Sequence, residues 1–218
     1  KQEIRRSEEA VLVEGNFDVI VLYAHGVKNA VAPMGTAMTE GQTRLLGRFS
    51  KRVFVAFDGD KAGIAAVRRS LPILMGQEFD ARVVSMPPGD DPDSYIRREG
   101  TEAFQAKMER AEPIVQWVLE RVFSRVDGAP VEQRVEALRE AGEVLGHVSE
   151  RVAWRHYASE VARRLDLNPA DIDSFLKQPA RLAENQPRSQ RDETPLPALE
   201  RICIQVLSLL PDRLVSFA

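Results

Sequence analysis

The stretch FVAFDGDKAG, residues 54–63, runs from an apolar segment into two aspartates separated by one glycine. The residues before Asp58 are rich in Val, Ala and Phe and nearly continuous in their apolar character, the pattern of a strand covered on both faces. From Lys61 onward the spacing turns helical. Asp58 and Asp60 therefore fall where a buried parallel strand hands over to a helix. In open α/β sheets, ligands bind outside the carboxyl ends of the strands. The plain alternative is a surface turn, because Asp-Gly is a common turn dipeptide.

The same texture recurs on either side. Short apolar runs at 10–15, 29–35, 52–60 and 81–89 are separated by amphipathic stretches at 16–25, 39–49 and 61–75. Thr39 and Gln42 are spaced as a capping box. Pro72 is expected to kink or shorten the third stretch. Strand–helix–strand alternation at this spacing predicts βαβ units and a mostly parallel sheet flanked by helices.

Two other strand ends carry acid. LVEGNFD places Glu14 and then Asp18 at the same edge, and PPGDDPDSY brings Asp90, Asp91 and Asp93. Two carboxylates ~4 Å apart repel by roughly 4 kcal/mol at an effective dielectric near 20. A fold that collects four or five must protonate some or bind cations. An all-oxygen donor set without nearby His or Cys suits Mg²⁺, with Mn²⁺ as substitute. Such ions also bind substrate phosphates, which is the logic of metal-assisted phosphoryl transfer. Gly15 and Gly59 are expected to let the backbone turn beside the metal.

From about residue 92 the strand signal vanishes. Helices are expected at DPDSYIRREG, 101–112, 113–126, 131–148 and 149–167, with Pro113 in a first turn and Asn168–Pro169 opening one more helix through Lys177. Trp154, Tyr157, Val161 and Leu165 share one helical face, which places Trp154 in a core. Residues 178–197 hold four prolines and few large apolar residues, the composition of a linker. Residues 198–218 are apolar again at helical spacing. The expected division is 1–100 for the sheet domain, 101–177 for a small all-α bundle, 178–197 for the linker and 198–218 for the start of a truncated domain. The first residue, Lys1, already lies in a helix-like pattern, so a fragment of a longer protein is expected.

Composition narrows the partners. The net charge is −3 over 218 residues, so bulk charge does not grip a polyanion and any nucleic-acid contact must be local or metal-assisted. One cysteine, Cys203, excludes an internal disulfide and suits a reducing cytosol. No apolar run reaches the ~20 residues of a membrane span, and no signal peptide opens the chain. A cytoplasmic monomer is the expected state. His25, His147 and His156 lie apart from the acidic edge. Arg68–Arg69 and Arg97–Arg98 read as solvated helix faces; the sharper reading has some of them, with Lys61, touching nucleotide or template phosphates.

The glutamate after a strand, then DGDKAG, then DPD, resembles the TOPRIM module shared by topoisomerases, primases and some nucleases. VEGNFDVI, AVAPMGTAMTEGQ and PPGDDPDSYIRREG together resemble the bacterial DNA primases of DnaG type, and the resemblance runs over essentially the whole chain. Asn16 stands where an aromatic is usual, a departure expected to alter packing and not chemistry. The resemblance implies that Glu14, Asp58 and Asp60 are the central catalytic metal ligands. Asp91 and Asp93 would hold further metal, with Asp18 supporting. It implies metal-dependent synthesis of short RNA primers from ribonucleoside triphosphates on a single-stranded DNA template, a DNA-directed RNA polymerase activity of replication. It also implies a replicative helicase as partner through residues 198–218, and zinc only in a domain preceding Lys1. The fragment alone is expected to fold yet to lack full priming activity.

Other functions fit less of the sequence. A topoisomerase needs a catalytic tyrosine, and Tyr23, Tyr95 and Tyr157 sit in apparent helices. An OLD-type nuclease shares the module and stays open; a zinc motif and a Lys/Arg-rich segment preceding Lys1 would settle primase against nuclease. A non-catalytic helicase-docking module leaves the acidic set unexplained. A haloacid-dehalogenase-like phosphatase leaves Glu14 unexplained.

Overall fold

The computed structural model describes residues 1–33, 38–126, 128–168 and 172. The chain divides into two units, the first ending at Glu112 and the second beginning at Pro113.

The first unit is an α/β layer structure. After helix α1 (Gln2–Ser7), strand β1 (Glu9–Leu12) leads into α2 (Asn16–Ala24), β2 (Ala30–Val31), α3 (Glu40–Leu46), β3 (Arg52–Val55), α4 (Lys61–Met75) and β4 (Asp80–Val83). Then come α5 (Pro92–Glu99), α6 (Thr101–Glu109) and a two-residue strand, β5 (Glu112–Pro113), where this unit ends. The sheet order is β2-β1-β3-β4-β5, and β1 pairs in parallel with both β2 and β3, as β3 does with β4. Val11, Phe54 and Leu12 are buried on the central strands, as strands covered on both faces require.

The register also organises charge at the N-terminal ends of the strands. Glu9 stands opposite Arg52, and Arg52 opposite Asp80. The Arg52 guanidinium donates to both, at 3.0 Å to Glu9 and 2.6 Å to Asp80. Both acids at this edge are thus neutralised within the sheet.

Two expectations need correction. Pro72 does not shorten its helix: α4 runs on to Met75, and the Gly76 N–H closes it on the Pro72 carbonyl at 3.0 Å. A proline so near the end forfeits one backbone bond without breaking the preceding turns. The boundary expected after residue 100 falls instead at 112–113. Gly100, at φ 87°, does break the chain between α5 and α6, but α6 stays with the sheet. Phe104, fully buried, joins the core of Val11, Phe54, Val84 and Ile96. Truncating such a side chain costs about 3–5 kcal/mol, enough to fix the helix there.

The second unit is helical. Helices α7 (Ile114–Phe123), α8 (Val131–Leu145) and α9 (Arg151–Leu165) pack on one another. Trp117, Phe123, Leu145, Trp154 and Leu165 form its interior. The helix expected through Lys177, the linker at 178–197 and the segment 198–218 lie outside the described residues, apart from Asn168 and Ile172. Among the described residues no helix is long and apolar enough to cross a membrane.

Candidate functional site

At the C-terminal ends of β1, β3 and β4 the chain turns into α2, α4 and α5, and each turn delivers acid. Glu14 follows β1, and its Oε1 accepts from the backbone N–H of Asp58 at 3.3 Å, tying the first turn to the second. Asp18, in the first turn of α2, accepts from the Gly15 N–H at 3.0 Å. Asp60 is the N-cap of α4, accepting from the Gly63 N–H at 2.8 Å. Asp91 is the N-cap of α5, accepting from the Ser94 N–H at 2.6 Å. A carboxylate in that position satisfies an orphan amide and favours the positive end of the helix.

Two glycines set how closely these turns approach. A Cβ on Gly59 would lie 2.0 Å from the Pro87 carbonyl oxygen, so the Asp58–Asp60 turn packs backbone to backbone on the turn after β4. The Gly59 N–H donates to the Asp90 carbonyl across the same gap, at 2.9 Å. A Cβ on Gly63 would lie 2.1 Å from the Asp58 carbonyl oxygen. Gly15 is less constrained: its Cβ would meet Asp18 Oδ2 at 3.2 Å. The need for Gly59 follows from its place between two aspartates. The need for Gly63 is visible only once α4 is folded back over its own entry.

The electrostatics differ from those at the other edge of the same strands. Glu14, Asp18, Asp58, Asp60 and Asp91 have no ion-pair partner among the described residues, whereas Glu9 and Asp80 share Arg52. Burial pushes the Asp58 carboxyl up to about 6, helped by the charges of Glu14, Asp18, Asp91 and Asp60. Burial also raises Asp18, against the Gly15 hydrogen bond, with Asp91, Asp93 and Glu14 adding repulsion. The six expected acids thus share one electrostatic neighbourhood. Asp90 belongs elsewhere: Arg98 grips it through two hydrogen bonds, 2.8 and 2.6 Å, and holds its carboxyl below the usual range. Asp93 pairs with Arg97. Lys61, the first residue of α4, is exposed and has no ion-pair partner among the described residues.

Among the described residues no three His, Cys, Asp or Glu side chains converge on one point as ready-made metal ligands. The reason is local. Asp18, Asp60 and Asp91 are turned to backbone amides, and Asp93 to Arg97. The donor set nevertheless fits a hard divalent cation: it is all carboxylate oxygen, and burial together with the neighbouring like charges holds the Asp58 carboxyl above its ordinary range. His25 is engaged elsewhere, its Nδ1 lying 2.8 Å from the Val21 carbonyl oxygen.

Comparison with known proteins bears on both units. A family model described as Toprim-like matches residues 11–96, and one described as the DnaB-helicase binding domain of primase matches residues 115–170. The latter falls on the helices of the second unit, not on 198–218. A DNA primase of Myxococcus xanthus is 34% identical over 97% of this chain and 36% of the relative. A DNA primase domain from Pseudomonas aeruginosa superposes with a TM-score of 0.69 at 29% identity, covering 80% of this chain and 56% of that one. A DnaG primase catalytic domain bound to single-stranded DNA superposes with a TM-score of 0.65 at 28% identity, covering 75% and 53%. The chain spans about a third of the length of the curated relatives it matches.

Proposed function

We propose, from the premise that this chain belongs to the bacterial DNA primases of DnaG type, that its first unit is the metal-binding half of a primer-synthesising site. The observation that carries the reading is the acidic edge, where three strand ends of one parallel sheet deliver six carboxylates to one electrostatic neighbourhood and all but Asp93 have no ion-pair partner among the described residues.

Glu14, Asp58 and Asp60 would hold the central divalent cation, Mg²⁺ or Mn²⁺, and Asp91 and Asp93 a further one. A bound divalent cation supplies charge neutralisation for a triphosphate and activation of the attacking hydroxyl. The protein's own contribution is placement. Gly15 and Asp18 fix the turn that presents Glu14. The Glu14–Asp58 hydrogen bond sets the spacing of the first two strand ends, and Gly59 brings the third against the second. Lys61, one residue past Asp60, stands ready to pair with a triphosphate oxygen. The reaction would be template-directed joining of ribonucleotides on single-stranded DNA. Template grip would rest on local basic side chains and not on bulk charge, since the net charge here is −3. The second unit would dock the replicative helicase, as the description of the family model on residues 115–170 supports.

The test is primer synthesis by the full-length enzyme. Asp58→Asn and Asp60→Asn should each abolish oligoribonucleotide products on single-stranded template while leaving the circular dichroism spectrum unchanged. Normal priming by either variant would overturn the assignment.

A further inference from the structure

Of the six carboxylates at the acidic edge, Asp93 alone sits in an ion pair among the described residues, and its partner is Arg97, one helical turn along α5. The neighbouring arginine is committed differently. Arg98 grips Asp90 with two hydrogen bonds, adds a third to Glu99, and leans over the Tyr95 ring at 5.9 Å. Among the described residues Arg97 pairs with Asp93 and no other acid, and its side chain is 59% exposed. An exposed i, i+4 ion pair shifts an equilibrium by only about twofold. A divalent cation at Asp93 carries twice the charge of the guanidinium and competes for the same oxygens.

We propose that Arg97 is a phosphate-contacting residue, held at the site by Asp93 until a divalent cation takes that carboxylate and leaves the guanidinium to pair with the triphosphate that accompanies the cation. The planar fork of arginine suits a phosphate as well as it suits a carboxylate. The guanidinium remains within one helical turn of the metal edge, so it need only rotate about its own side chain. The exchange also makes cation and triphosphate bind cooperatively, because each removes a competitor of the other. The inference rests on the function proposed above and assigns different roles to two arginines that are adjacent in sequence.

The opposed signs of two affinities test it. In the 218-residue chain, Arg97→Ala should tighten Mn²⁺ binding, measured alone by electron paramagnetic resonance, by about twofold, the worth of the lost pair. The same variant should weaken ATP binding in saturating Mn²⁺, measured by calorimetry, by about tenfold, the lower end for a hydrogen bond to a charged group. Arg97→Lys keeps the charge without the fork and should fall between the two. A variant that binds Mn²⁺–ATP like the wild type, or binds Mn²⁺ more weakly, overturns the inference. A wild-type chain that holds Mn²⁺ but no ATP overturns the proposed function and this inference with it.

Discussion

Replacing Asp58 by asparagine should make the metal-free protein more stable and the metal-loaded protein less so. The carboxyl stands at about 6 in the fold against an ordinary 3.8, with burial the leading cause and Glu14 the largest neighbouring charge. A full conversion of that difference gives about 3 kcal/mol. Asp58 is half-buried and its neighbours are partly screened, which reduces the expected gain to about 1 kcal/mol. For a chain of this size that is a rise of about 2–4 °C in Tm. The sign has a definite pH course. Because the folded state holds the proton more tightly, the wild type loses stability as pH rises from 3.8 through about 6. The variant escapes that loss, so the gap should be full above pH 7 and close below pH 4. Mg²⁺ reverses the order. At ten times its dissociation constant a ligand adds about 1.4 kcal/mol to the protein that binds it, and the variant forgoes that addition. Thermal melts in EDTA and in Mg²⁺, at pH 7.5 and pH 4, supply the four numbers. A variant less stable than the wild type in EDTA at pH 7.5, or a gap that ignores pH, would refute the cost of holding a buried charge among its neighbours at Asp58.

Three further outcomes are expected. Gly63→Ala should lose about 2–3 kcal/mol in urea denaturation, because its Cβ would stand 2.1 Å from the Asp58 carbonyl oxygen and such overpacking outweighs the gain of about 1 kcal/mol in helix propensity; an unchanged midpoint would contradict the close approach. Lys61→Ala, at an exposed position, should leave the melting curve within about 0.5 kcal/mol and weaken Mn²⁺–ATP binding about tenfold in calorimetry. Trp154→Phe should be nearly neutral to chemical denaturation: the Trp154 Nε1 is buried without a hydrogen-bond partner among the described residues, and removing an unsatisfied donor returns about 1 kcal/mol or more against the small void left behind.

Much of this was legible in the chain because handovers from a continuous apolar run to period 3.6 leave a mark wherever they occur. FVAFDGDKAG shows its strand end and its helix start, and Thr39 with Gln42 forms the capping box that their spacing predicts. The acids Glu14, Asp18, Asp58, Asp60, Asp91 and Asp93 could be grouped because each follows such a handover. What stayed hidden depends on distance between segments remote in sequence. The triad of Glu9, Arg52 and Asp80 exists only through the strand register. Gly63 looks like an ordinary helical residue until the Asp58 backbone is folded against it. Gly100 breaks the chain as firmly as a domain boundary would, and only the burial of Phe104 shows that the helix after it still belongs to the sheet. The capping roles of Asp60 and Asp91, each of which engages one carboxylate oxygen with a backbone amide, likewise depend on side-chain direction.

The contact of Gly59 with Pro87 has a bearing on how these loops can vary. Surface turns ordinarily accept added residues with little cost. Here the turn after β4 is clamped against the turn after β3, through the Cβ-free face of Gly59 and the hydrogen bond from its N–H to the Asp90 carbonyl. The two turns form one mechanical part. A residue inserted between Met86 and Asp90 would be felt at once by Asp58 and Asp60, although neither lies in the altered segment. Lengthening at this edge is therefore confined to turns outside the clamp, and the spacing of the aspartates is inherited from backbone contact and not from the side chains themselves.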